Sequence, residues 1–433
     1  ASSMGAELLQ ELLVRRRGGA GGGICSVCSS HPRVLEAAMV QALGHDSPLL
    51  IESTSNQVDQ FGGYTGMTPA DFCRYVHEIA GRLHFPVERV ILGGDHLGPN
   101  VWQREPATQA LAKAHAQIDA YVRAGYAKIH LDATYVCGGD PSPVLPPELI
   151  AERTAEFCQT AERAGAASAV RPLYVIGSDV PIPGGAQHEL GVIPPTAVAA
   201  VEECIALTRA AFLRRGLDQA WERVIAVVVQ PGVEFSHNSV VAYERDAARP
   251  LSRYIETTPG LVYEAHSTDY QSAAALRQLV EDHFAILKVG PWLTFALREA
   301  LFALAEMESI WLGGRPQLRL SHLVEILDRE MSRDPQFWHK HYHGTEEEIR
   351  FARHFSYSDR IRYYWPYPAV EEAAARLVAN LEEKPLPLTL ISQYLPCQYQ
   401  AIRDGRIQNS PGDMIRDKIA AVLTVYDQAA GLN

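Results

Sequence analysis

Eight short apolar runs constrain this chain more than any other feature, because each closes on small or polar residues and leads into a stretch with helical spacing. The runs span residues 24–29, 49–53, 89–94, 128–133, 173–177, 224–230, 261–265 and 284–289. Between them, apolar residues recur at helical spacing over 34–43, 69–83, 107–124, 147–164, 195–214, 252–257, 273–281 and 294–307. Thr68-Pro69 and Pro106 supply cap and first-turn signals for two of these helices. Short apolar runs alternating with helices predict parallel strands joined by crossovers. Eight such units favour a closed (β/α)8 barrel over an open doubly wound sheet. Either architecture binds ligands at the carboxyl ends of its strands.

The rhythm stops near Gly313. Helices are expected over 318–332, 369–381 and 412–428, with a Pro-rich join at 384–396. The division expected is a barrel over 1–315 carrying the active site, and a mainly helical extension over 316–433 packed on it. The 433 residues carry a formal charge of −12, which argues against general nucleic-acid binding, since phosphate backbones demand clustered Lys and Arg. No apolar run reaches the roughly 18–20 residues that span a bilayer. Residues 8–14 are apolar but short, and Arg15–Arg17 follow them instead of preceding them, unlike a signal peptide. Seven cysteines in so long a chain do not make a disulfide framework, and a reducing, cytoplasmic location fits. Cys25 and Cys28 have C-x-x-C spacing, but with no second pair they read as small residues of a first strand.

Polar residues concentrate where strands are expected to end. They include Glu52 and Asn56, Asp95-His96, His130 and Asp132, Asp179, Gln230 and Gly232, Glu264 with His266-Ser267, and Lys288 with Gly290. Residues two apart on a strand share a face, so His130 pairs with Asp132 and Glu264 with His266. A barrel interior is normally filled by branched apolar side chains, so several same-face ionisable pairs argue for a site. A lone Asp-His dipeptide reads more simply as a satisfied structural histidine; its combination with Glu-x-His on another strand reverses that. His96 and His266 are candidate metal ligands through neutral imidazole, with Asp179 as a possible oxygen donor. The divalent metal would act as a Lewis acid. Asp95, Asp132 and Glu264 are candidate acid/base groups. Ser267, Gly232 and Gly290 offer donors beside the later strands, where barrels commonly bind phosphate, and Lys288 adds positive charge. A Schiff-base role for Lys288 would leave the histidines unexplained.

Several longer motifs carry a family resemblance. Gly23-Ile-Cys-Ser-Val-Cys-Ser-Ser-His31-Pro32, the run from Glu52 to Pro69, Gly93-Gly-Asp-His-Leu-Gly-Pro-Asn100, Glu264-Ala-His-Ser-Thr-Asp-Tyr270 and Ser358-Asp-Arg-Ile-Arg-Tyr-Tyr-Trp-Pro366 resemble the tagatose-1,6-bisphosphate aldolase Z-subunit family. The resemblance spans nearly the whole chain. It implies a role in carbohydrate metabolism, a sugar-phosphate ligand, an oligomer, and a catalytic tagatose-bisphosphate aldolase as a possible partner subunit. Some members are labelled tagatose 6-phosphate kinase, and some relatives are ketohexose or ketohexose-phosphate 4-epimerases. A more distant resemblance to class II aldolases implies that Asp95 is an acid/base group and that His96 and His266 are metal ligands. It also implies phosphate contacts at Ser267 and around Lys288–Gly290. Where those aldolases place a further metal histidine, after strand six, this chain has Gln230.

The kinase label finds no G-x-x-x-x-G-K-[ST] motif here. The leading expectation is metal-dependent C4 epimerisation of D-tagatose 6-phosphate to D-fructose 6-phosphate, by retro-aldol cleavage and re-addition or by removal and return of hydrogen at C4. Arg360 and Arg362 are expected to clamp phosphate. The alternative is a non-catalytic subunit that stabilises and activates a class II tagatose-1,6-bisphosphate aldolase.

Overall fold

All eight apolar runs become strands of one closed parallel barrel in the computed structural model, which describes residues 3–16, 21–167, 171–178 and 191–432. The strands are β1 (Ile24–Val27), β2 (Leu49–Thr54), β3 (Val90–Leu97), β4 (Lys128–Leu131), β5 (Leu173–Ile176), β6 (Val224–Val228), β7 (Val262–Ala265) and β8 (Phe284–Val289). Neighbours follow chain order, and β8 pairs with β1 to close the ring. A short hairpin, Glu234–Phe235 against Val240–Val241, sits beyond β6.

Register turns sequence parity into layers. Ser26 aligns with Leu50 and with Lys288, and Glu52 aligns with Gly93. Toward the N-terminal end the interior is apolar: Ile24, Leu50, Ile91, Val175 and Ile286 form one buried cluster. The helix Ser3–Arg15 joins that cluster through Ala6, Leu9 and Leu13. It thereby closes the end of the barrel opposite the expected site. Residues 8–14, too short for a membrane segment, are this plug. Among the described residues no helix is long and apolar enough to cross a membrane.

Helices fill the outer ring close to the expected positions. The segment expected as a helix only over 252–257 is helical from Arg245 to Glu256. Pro250 lies inside it; a proline there costs one amide hydrogen bond and normally argues for a break. Beyond Leu312 the chain is mainly helical, and the last helix, Pro411–Ala429, packs on Pro32–Ala42, Ala273–Glu281 and Pro291–Leu312. The Pro-rich join holds two short helices, Leu388–Tyr394 and Pro396–Arg403, with prolines at or just before their first turns. Glu346–Phe355 is a further helix, opened by a capping box from Thr345 and Glu348.

Gly93 is the backbone position on which the middle of the barrel turns. A Cβ there would lie 2.3 Å from Glu52 Oε1 and 2.5 Å from its Cγ. Glu52 cannot move aside, because Lys128, Lys288 and Ser26 all hold its carboxylate. Gly93→Ala is therefore expected to destabilise the fold by about 1–3 kcal/mol through overpacking. Urea unfolding checks this, and an unchanged midpoint would contradict it.

Candidate active site

Above the apolar plug the barrel interior becomes ionic. Lys128 on β4 places its Nζ 2.6 Å from Glu52 Oε1 and 2.7 Å from Glu264 Oε2. Lys288 on β8 contacts Glu52 Oε2, lies 3.2 Å from Asp95 Oδ2 and 3.8 Å from Glu264 Oε1. These groups are buried; Lys128, Glu52 and Glu264 are fully so. Buried charges survive only when paired and hydrogen-bonded, and this ring pairs each lysine with more than one carboxylate. Burial opposes a charged Lys128, yet Glu264 and Glu52 outweigh it and raise its pKa. Burial likewise opposes an ionised Glu264, but Lys128, Lys288 and His266 hold it well below the usual range.

The next layer carries the histidines. Glu264 Oε1 holds His266 Nε2 at 2.8 Å, so the Nδ1 of that ring is left for other partners. Asp132 Oδ2 holds His96 Nδ1 at 2.7 Å, leaving Nε2. Asp132 is itself fixed by the Thr134 N–H at 3.1 Å and hydroxyl at 2.6 Å. A carboxylate behind an imidazole is the usual way a metal-binding histidine is oriented. The His130 Nε2 lies 2.7 Å from the Gly177 carbonyl and must donate there. Its Nδ1 is then a lone pair, which faces the His96 N–H at 3.1 Å and Asp95 Oδ1 at 3.0 Å.

Burial pushes the Asp95 pKa up, but Lys288, His96 and His266 together hold it well below the usual carboxylate range. Asp95, His96, His130 and His266 are a group among the described residues that could hold a metal ion, with one donor atom of each within 4.8 Å of the others. The ring centroids of the three imidazoles are 4.9, 5.0 and 5.6 Å apart. Three imidazoles sharing one tetrahedral ion would have centroids about 5 Å apart, given metal–nitrogen bonds of roughly 2.1 Å. The donor set fits a divalent metal of the zinc type. His96 and Ser267 both adopt positive φ, 51° and 52°, which aims the residues at the strand ends away from regular strand geometry.

A pocket opens over this cluster, lined by Asp95, His96, His266, Ser267, Lys288, Gly290 and Asn56, and by Arg362 and Tyr363 from the C-terminal segment. It shares walls with a larger cavity between the barrel mouth and that segment, with Cys28, Gln57, Tyr64 and Arg362 among the residues common to both. Cys25 and Cys28 are free thiols; burial raises both, Cys28 to about 12, which leaves Cys28 an un-ionised wall of the pocket.

Several expected roles change. Asp132 and Glu264 do not line the pocket; each instead holds a histidine from behind. Glu52 lies in the ionic ring below it. Gln230 is turned away, its Oε1 accepting the Gly232 and Val233 N–H groups at 2.9 and 3.0 Å, and Gly232 does not reach the pocket either. Gly290 does line it, but its N–H is spent on Asp269 Oδ2 at 3.0 Å. The Arg360 guanidinium turns to the Phe337 carbonyl, so of the two arginines only Arg362 lines the pocket. Asp179 lies outside the described residues; His130 instead joins His96, His266 and Asp95 in the group that could hold a metal. Sequence reasoning did not single out Lys128, the pocket tyrosines Tyr64 and Tyr363, or His130 as a candidate ligand. Strand parity placed Lys128 on the face of His130 and Asp132, which was the available signal.

Replacing Lys128 by Met should leave Glu264 Oε2 buried without its cation. Removing one partner of such a pair costs about 3–5 kcal/mol. The double variant Lys128→Met, Glu264→Gln should lose less than the sum of the singles, because the two sites share one interaction. Strict additivity in urea unfolding would show that the ring does not couple them.

Known proteins match the chain along nearly its full length. Residues 9–431 match the family described as D-tagatose-1,6-bisphosphate aldolase subunit GatZ/KbaZ-like. A D-tagatose-1,6-bisphosphate aldolase subunit GatZ from Klebsiella pneumoniae is 51% identical over 419 residues, covering 96% of this chain and 98% of that one. Its counterpart from Salmonella typhimurium is 49% identical over the same span, covering 96% and 98%. The crystal structure of a probable tagatose 6 phosphate kinase from Sinorhizobium meliloti superposes with a TM-score of 0.86 at 47% identity, covering 94% of this chain and 100% of that one.

Proposed function

The chain belongs to the D-tagatose-1,6-bisphosphate aldolase subunit GatZ/KbaZ-like family, and on that footing we propose that it is itself an enzyme, one that epimerises D-tagatose 6-phosphate at C4 to D-fructose 6-phosphate. The observation that carries this reading is the intact Asp95–Lys288–His266–His96 constellation facing a pocket. A chain serving only as a scaffold has no use for two buried lysines, three histidines and four carboxylates converging at a barrel mouth, since such groups are costly to bury.

His96, His130 and His266, with Asp95 beside them, would hold a divalent metal. Such an ion supplies Lewis-acid polarisation of substrate oxygens. The chain's own residues do the rest. Asp95, kept ionised by Lys288, is the group able to take a proton from a substrate hydroxyl. Arg362, at the outer edge of the pocket, is the phosphate-binding side chain this reading requires. Asp132 and Glu264 hold the imidazoles that face the ligand. Buried surroundings strengthen each of these contacts relative to water.

The second reading, a subunit that stabilises and activates a catalytic tagatose-1,6-bisphosphate aldolase, draws its support from the names of the relatives. Purified chain incubated alone with tagatose 6-phosphate and a divalent metal separates the two. Fructose 6-phosphate should form, and Asp95→Ala or His96→Ala should cut turnover by about 10²-fold or more while leaving the fold intact. No turnover alone, with aldolase activity enhanced on adding the partner subunit, would sink the epimerase reading. ATP-dependent formation of a bisphosphate would restore the kinase label.

A further inference from the structure

The pocket has a second titratable wall that the strand-end residues do not account for. Tyr363 lines it from the C-terminal segment. Its hydroxyl accepts a hydrogen bond from Arg362 Nη2 at 3.0 Å. The Arg362 guanidinium carbon lies 4.5 Å from the ring centroid and that of Arg360 lies 5.3 Å away. Phe337 stacks on the ring at 4.7 Å with planes 10° apart, and Tyr64 meets it edge-on at 4.9 Å. The ring is thus held on several sides. Arg362 is held in turn by the Ser358 and Asp359 carbonyls. Among the described residues no acceptor takes the proton of the Tyr363 hydroxyl, and the residue lines the pocket.

We propose that Tyr363 is the second proton carrier of this site, complementing Asp95. The proposal rests on the epimerase reading and takes its retro-aldol route. Asp95 takes the proton of the C4 hydroxyl as the C3–C4 bond breaks; the bonding pair stays on C3, giving an enediolate and an aldehyde. The aldehyde turns over. C3 attacks its opposite face, C3–C4 re-forms, and the new C4 alkoxide takes the Tyr363 proton. Exchange with water returns the proton from Asp95 and restores the one on Tyr363. One acid and one base on different walls are what inversion at C4 demands, because the oxygen leaves toward one side and returns on the other.

The charges around the phenol suit this task. Burial opposes its ionisation, but Arg362 and then Arg360 outweigh burial and lower its pKa. Tyr64, from the loop after β2, goes the other way, raised by burial. Asp269 and Asp359 face Arg362, and Lys288, Asp95 and His266 share the pocket.

Tyr363→Phe should lower kcat for epimerisation about 10²-fold or more, with KM unchanged, while retro-aldol cleavage persists and its aldehyde is captured by a coupled dehydrogenase. Asp95→Ala should lose both. A fluorinated tyrosine at position 363, a more acidic phenol of nearly the same shape, should move the alkaline limb of the kcat profile to lower pH. In an active wild type, a Tyr363→Phe variant that keeps its kcat, or that raises KM alone as a phosphate-binding side chain would, overturns the proposal and leaves the epimerase function standing. An unmoved alkaline limb also overturns it. An inactive wild type overturns the function, and the role of Tyr363 with it.

Discussion

Four buried charges inside a barrel set the terms for the rest of this molecule. Lys128 and Lys288 interleave with Glu52 and Glu264, drawn from β4, β8, β2 and β7, with Lys128, Glu52 and Glu264 wholly out of water. Such a ring is tolerable only if every member keeps its partners. That requirement dictates Gly93 beside Glu52, where any Cβ would displace the carboxylate. It also explains the division of the interior: a dry apolar plug below, sealed by Leu9 and Leu13 of the first helix, and an ionic platform above.

The platform passes its order upward. Glu264 belongs both to the ring and to His266, and Lys288 belongs both to the ring and to Asp95. The groups that face the pocket are therefore positioned by the same charges that fill the barrel. His96 is fixed separately by Asp132, the residue that follows β4. Preorganisation of this kind lets a site hold donors and charges in place without reorganising water during a reaction. The C-terminal segment completes the pocket from above with Arg362 and Tyr363, so neither the barrel nor the extension forms the pocket by itself.

Much of this was legible in the chain because periodicity is a local signal. All eight strands follow from apolar runs, and parity correctly put Glu264 with His266 and His130 with Asp132 on shared faces. What parity cannot say is which of two same-face groups meets the ligand. Asp132 and Glu264 read as acid/base candidates, yet each sits one layer too deep or too far back and serves a histidine. Gln230 and Gly232 follow β6 closely enough to suggest a ligand contact, but a side-chain amide that folds back onto two backbone N–H groups is decided by loop geometry, not by spacing. Lys128 looked like an ordinary first residue of a strand, because its carboxylate partners lie 76 and 136 residues away. Tyr363 lay within a motif noted for its arginines, and only the fold brings its ring to the mouth.

The imidazole cluster beside Asp95 is the candidate cation site, its three rings standing at about the spacing one shared ion would impose. Elemental analysis of the purified protein after exhaustive buffer exchange tests this most directly. About one divalent transition-metal ion per chain, released when His96 is replaced by Ala, is the predicted result. A wild-type chain that keeps no such ion and takes none up at micromolar concentration would contradict it.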